Sequence, residues 1–112
     1  PESPVRKDLL AAMLRFFQAV EGRLAGGVPL KDWSAARAHD LIWAIHYCVE
    51  QAPAEADRLL ALAARLHREG LDWNGAWFNS TAFPRHSVES GFDMWTHGVN
   101  NAQAVKRGAG RA

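Results

Sequence analysis

The sequence predicts an all-α fold assembled from helical hairpins. Three observations carry that prediction. Apolar residues recur at three- and four-residue spacing along most of the chain. Proline stands where helices would start and glycine where they would stop. No run shows the two-residue alternation of a convincing strand.

The first helix is expected over residues 4–24. Ser3 and Pro4 form an N-cap and first-turn pair. Leu9, Met13, Phe16, Phe17, Val20 and Leu24 make one apolar stripe, and Gly26, Gly27 and Pro29 end it. The second is expected as one helix over 33–51, with Asp32 as N-cap. Leu41, Ile42, Ile45, Cys48 and Val49 form its broad apolar face, which Trp43, Ala44 and Tyr47 extend. A helix apolar on most sides is expected to lie between layers. The third covers 53–69, opened by Pro53 and stopped by Gly70. Leu59, Leu62, Ala63 and Leu66 are its buried stripe, and Arg58, Arg65 and Arg68 read as a solvated face. Residues 71–92 show no clear periodicity. A fourth helix is expected to start near Asp93, its candidate N-cap, and to run past Lys106.

Composition bounds the function. The chain has 112 residues, 48% hydrophobic and 22% charged, as in an ordinary globular domain or part of one. A formal net charge of +1 predicts no nucleic-acid partner. The longest apolar runs, such as 41–45, are too short to span a bilayer, and residues 1–8 are too polar for a signal peptide. Cys48 is the single cysteine, which excludes an internal disulfide and a cysteine-rich zinc site within the chain. The missing initiator Met and the GAGRA ending are expected of a segment of a longer protein, and equally of a tag or of processing.

The most unusual stretch is 72–106. It holds three Trp, three Phe, two His and four Asn. Aromatic faces mixed with neutral hydrogen-bonding groups suit a pocket for a polar, uncharged ligand such as a sugar. Structureless loops as long as 71–92 are usually functional or disordered, and aromatic content argues against disorder. On a helical wheel Asp93, His97, Asn100, Asn101 and Ala104 share one face. Trp95, Val99 and Ala102 share the opposite one, which is expected to anchor the helix. A neutral His97 near the start of that helix donates to and accepts from hydroxyls. The alternative is a structural polar layer, with His97 and the two asparagines bonded to neighbouring helix ends.

Other constellations are weaker. His39, Trp43, His46 and Glu50 share a face, and His46 with Glu50 has a spacing that can chelate a metal. A helix-surface contact is the simpler reading of that pair. Cys48 reads as a buried small hydrophobe. Arg37 and Asp40 are expected to pair at i, i+3. His86 beside Ser87 lacks the strand–turn context of a nucleophile elbow. No phosphate loop or dinucleotide fingerprint is present.

The order Leu14-Arg15-Phe16-Phe17, Trp33, Arg37-x-x-Asp40-Leu41-Ile42-Trp43, Leu59 to Leu66, Gly70-Leu71-Asp72-Trp73 and Thr96-His97-Gly98-Val99-Asn100-Asn101-Ala102-x-Ala104-x-Lys106 resembles the central part of the beta-L-arabinofuranosidase family. That is glycoside hydrolase family 127, with its uncharacterised relatives. The resemblance covers nearly the whole chain, and THGVNNAQAVK after the Asp-Trp pair is its most specific piece.

The resemblance implies a catalytic domain built as an (α/α)6 toroid, of which these hairpins are part. It implies a parent protein that hydrolyses terminal L-arabinofuranosides with retention. The family uses a cysteine nucleophile at a zinc site of Cys and Glu ligands, with a separate Glu as general acid/base. Those residues follow the HGVN-like helix in the family, so the nucleophile role does not transfer to Cys48. No catalytic residue and no metal site is expected within this chain; zinc belongs to the full-length parent. What transfers is the sugar contact of His97, with Asn100 and Asn101 helping to position it. Trp73 and Trp77 are added as stacking candidates on chemistry alone. The expected partners are carbohydrate and the remainder of the parent domain, or self-association of the uncovered helix faces. The rivals are a small helical protein-interaction module without catalytic activity and a binding-only sugar module.

Overall fold

The computed structural model describes residues 3–75 and 98–105. Of these, 85% are helical and none is in a strand, so the chain is all-α over the described residues. The helices are α1 (Pro4–Ala25), α2 (Asp32–Ala36), α3 (Ala38–Gln51), α4 (Ala56–Glu69) and α5 (Gly98–Ala104), with a 3-10 turn at Pro53–Glu55 ahead of α4.

Helix α1 starts as expected, but through Pro4 and the Ser3 backbone alone. The Ser3 carbonyl accepts from the N–H groups of Arg6 and Lys7 at 3.0 and 3.2 Å, and its side chain makes no cap bond. The other end is a Schellman motif. Gly27 takes φ 85, Val28 N–H donates to Arg23 O at 3.0 Å, and Gly27 N–H donates to Leu24 O at 3.2 Å. A side chain at that φ would be strained, which is why glycine stops the helix here.

The expected helix over 33–51 is broken in two. Its start is also displaced, because Asp32 is not the N-cap. Lys31 holds that position in extended backbone, and Asp32 is the first helical residue at φ 50. The Ser34 hydroxyl ties the turn, accepting from Lys31 N–H at 3.0 Å and donating to Lys31 O at 2.7 Å. The helix then breaks at Arg37, which has φ −108 and ψ 15. A break leaves carbonyls without helical partners. Distant groups take them: Leu71 N–H donates to Ala35 O at 3.0 Å, and the Trp73 indole to Ala36 O at 3.2 Å.

Helix α3 is the centre of the fold, with α4 folded back on it as a hairpin and α1 packed beside it. One core joins all three: Phe17 and Leu24 of α1, Ile42, Ile45 and Cys48 of α3, and Leu59, Leu62, Ala63 and Leu66 of α4. Burying each large aliphatic side chain contributes about 1.5–3 kcal/mol. The α3 helix is not covered all round, since Trp43 is 49% exposed. On α1 the apolar stripe is wider than its packing. Phe17 is buried while its neighbour Phe16 is half-exposed, the two rings meeting edge to face at 5.3 Å.

The arginines of α4 are not simply a solvated face. Arg58 reaches Glu21 on α1 at 2.8 Å and Glu55 at 2.9 Å. Arg65 binds Glu69 at 2.6 Å and donates from Nη2 to Leu24 O at 2.8 Å. Long guanidinium side chains on the edge of a stripe reach across to the next helix, and periodicity within one helix does not reveal that. Arg68 alone of the three is exposed and carries no described contact of this kind.

Candidate functional site

The break at Arg37 organises a second, smaller core. Ala36, Trp73 and Ala104 are buried together, with Leu71 packed against them. Chain geometry after α4 makes this possible. Gly70 ends the helix in extended backbone and runs close under α2 and α3. A Cβ at Gly70 would lie 2.9 Å from Ala38 Cβ, 3.0 Å from Leu66 O and 3.3 Å from Ala35 O. Only glycine lets 71–73 lie against the break. Asp72 then turns the chain, its Oδ1 accepting from Gly75 N–H at 3.2 Å.

Helix α5 closes the site. Asn100 is fully buried, and its Oδ1 accepts from Arg37 Nε–H at 2.9 Å. The same guanidinium stands 4.8 Å above the Trp33 ring. Arg37 was expected to act locally with Asp40; its side chain instead serves a residue 63 positions away. No pattern of i, i+3 or i, i+4 neighbours carries a signal for such a contact.

The rotation of α5 departs from the wheel. The face of Val99 and Ala102 was expected to anchor it, yet Val99 is 52% exposed and Ala102 is exposed. Asn100 and Ala104, one turn apart on the opposite face, are the buried positions. Burying Val99 would gain about 1.5 kcal/mol or more. The bond from the part-buried Arg37 guanidinium is charge-assisted and contributes about 1.5–3 kcal/mol at most, and it meets the acceptor of the fully buried Asn100. The small Ala104 also fits beneath Trp73, where a branched side chain would be crowded. The polar face therefore packs inward.

Trp73 is fully buried, with its indole committed to Ala36 O. Asn100 is likewise committed, to Arg37. Asn101 is half-buried. His97 and Trp77 lie outside the described residues, as do Asp93, Trp95 and His86.

The remaining candidates fall elsewhere. His39 is buried, its ring edge-on to His67 of α4 at 5.7 Å and 85°. Trp43 of the same face is half-exposed, so the face of His39, Trp43, His46 and Glu50 is split between core and surface. Among the described residues no group of three or more His, Cys, Asp or Glu could hold a metal. Cys48 is buried in the main core, where desolvation pushes its thiol above the ordinary value. No described helix is long and apolar enough to cross a membrane.

Comparison with known proteins adds no neighbour: no family model, no curated protein and no solved structure matches this chain.

Proposed function

We propose that the chain is part of an (α/α)6 toroid in a glycoside-hydrolase-like protein acting on O-glycosidic bonds, of the L-arabinofuranoside type. In this reading it contributes part of the sugar-binding wall, and the groups that cut the bond lie elsewhere in the parent. One observation supports it above others. The separate sequence pieces that carry the resemblance meet at one place. Arg37 binds Asn100 of the HGVN-like helix, and Trp73 of the Asp-Trp pair packs on Ala36 and Ala104. Pieces that shape one wall of a pocket have to converge in this way.

The chemistry of such a wall is recognition. His97 and Asn101 donate to and accept from sugar hydroxyls, and Trp77 offers a stacking face. Trp73 and Asn100 act from behind, holding the wall. The test is tryptophan emission during titration with methyl β-L-arabinofuranoside and a panel of monosaccharides. A saturable change, lost in His97→Ala, is expected, together with no turnover of arylglycosides by this chain. Turnover abolished by replacing a residue within the chain would sink the wall-only reading.

The second reading is a helical protein-interaction module without catalytic activity. It draws on exposed Phe16, Trp33 and Trp43, residue types enriched at docking surfaces. Absence of any saccharide response would favour it.

A further inference from the structure

We propose that α1 is a dimerisation helix. Its outer face takes a second copy of this chain in antiparallel register, with Val5 and Leu9 of each copy seated beside Phe16 of the other. The occupant is a second copy because the face is complementary to itself in size and in charge. The proposal does not rest on the sugar-wall reading.

The face is a seam that the main core leaves uncovered. Val5, Leu9, Ala12, Phe16, Ala19 and Arg23 are all exposed, Val5 at 75%, Leu9 at 53% and Phe16 at 50%. Their spacing alternates between four and three residues, the repeat that keeps two helices in contact along their length. The seam lies about 90° around the helix from the residues α1 gives to the core, which run from Leu10 to Leu24. No residue of α1 before Leu10 belongs to that core, so Val5 and Leu9 are offered outward.

The other end of the seam is hollow. A cleft of about 260 Å³ lies there, lined by Phe16, Val20, Arg23, Val28, Pro29 and Leu41 among others. Antiparallel pairing brings the first turns of the second copy to this cleft. With Leu9 opposite Ala19, Ala12 falls opposite Phe16, so each large seam residue meets an alanine. Val5 then lies along the apolar stem of Arg23.

Charge follows the same order. Asp8 of one copy comes within about one turn of Arg23 of the other. Among the described residues neither Asp8 nor Arg23 makes an ion pair of its own. A two-fold axis supplies the missing partners twice. Arg15 comes near that axis but is exposed to the side of the seam, where its long stem turns to solvent. Parallel pairing would instead set Phe16 on Phe16, Ala12 on Ala12 and Arg23 against Arg23, with bulk and charge both mismatched.

The test uses the full chain. Sedimentation over a concentration series should show a reversible monomer–dimer equilibrium. Phe16→Glu should weaken it roughly tenfold or more, as for a lost central aromatic anchor. Asp8→Arg and Arg23→Glu should each weaken it several-fold, and the two changes together should restore it. Register is read by mixing Leu9→Cys and Ala19→Cys chains under mild oxidation. Mixed disulfides should form, since like positions lie about 15 Å apart along the axis of the antiparallel pair. Native Cys48 is buried in the core and does not compete. Trp43 lies on α3, outside the seam, so Trp43→Lys should leave the mixed disulfide in place. A wild-type chain that stays monomeric at every concentration overturns the proposal, the seam then being covered within its own chain. So does a dimer unmoved by Phe16→Glu, a double charge reversal no better than the single ones, or disulfides formed between like positions.

Discussion

The indole N–H of Trp73 donates to the carbonyl oxygen of Ala36 at 3.2 Å, with the Trp73 ring fully buried. That carbonyl is free to accept because the helix breaks at Arg37. The bond therefore joins a defect in one helix to the chain that follows another. Trp73→Phe keeps most of the apolar volume and removes the donor. It should destabilise by about 1–3 kcal/mol, and Trp73→Ala by about 3–5 kcal/mol. Urea unfolding followed by circular dichroism measures both. A Phe variant as stable as wild type would show that the carbonyl finds another donor.

Gly70 is needed for space, since its φ of −71 suits any residue. Gly70→Ala would push a methyl against Ala38 Cβ and Leu66 O. Overpacking of this kind costs about 1–3 kcal/mol. Adding Ala38→Gly removes the nearest side-chain neighbour. The double variant should be less destabilised than the sum of the two single changes, as read from thermal melts.

Arg65 clamps α4 to the end of α1, binding Glu69 and Leu24 O with one guanidinium. Arg65→Ala should cost about 1 kcal/mol, most of it from the Leu24 carbonyl, since a partly exposed ion pair contributes little. Arg65→Lys cannot span both acceptors in the same fork and should recover less than half of the loss. The Arg58 bonds to Glu21 and then Glu55 push its already high pKa further up. Its loss should show a salt dependence that the Leu24 contact lacks.

Cys48 predicts an alkaline limb in stability. Burial raises its thiol above the ordinary value of 9.0. Above that value the unfolded thiol ionises while the folded one stays protonated. The unfolded state then binds fewer protons, so stability falls as pH rises. The effect is nil below that value, begins as pH passes 9.0 and levels off once the folded thiol ionises. Cys48→Ala lacks this limb, so the gap between wild type and variant should narrow above pH 9.0 in urea melts. A thiol reagent should label wild type only as fast as it opens.

Exposed Trp43, Trp33 and Phe16 predict association at high concentration, as uncovered faces of a toroid segment would show. Trp43→Lys should leave stability within about 0.5 kcal/mol while shifting sedimentation towards monomer. A concentration-independent monomer in the wild-type chain would count against the uncovered arc.

The sequence by itself determined the all-α class, the span of α1, the α3–α4 hairpin and most of the main core. Each rests on local rules. Phe17, Ile42, Ile45, Leu59 and Leu66 repeat at helical spacing, and Pro4, Gly27 and Gly70 mark ends whose backbone needs are local or steric. Only the tertiary structure decided the break at Arg37, the inward turn of Asn100 and the outward turn of Val99. A wheel ranks faces by hydrophobicity, so it turned Val99 inward. It cannot register that a part-buried guanidinium 63 residues earlier donates to Asn100. That bond, and the packing of Ala104 with Trp73, exist only once distant segments meet.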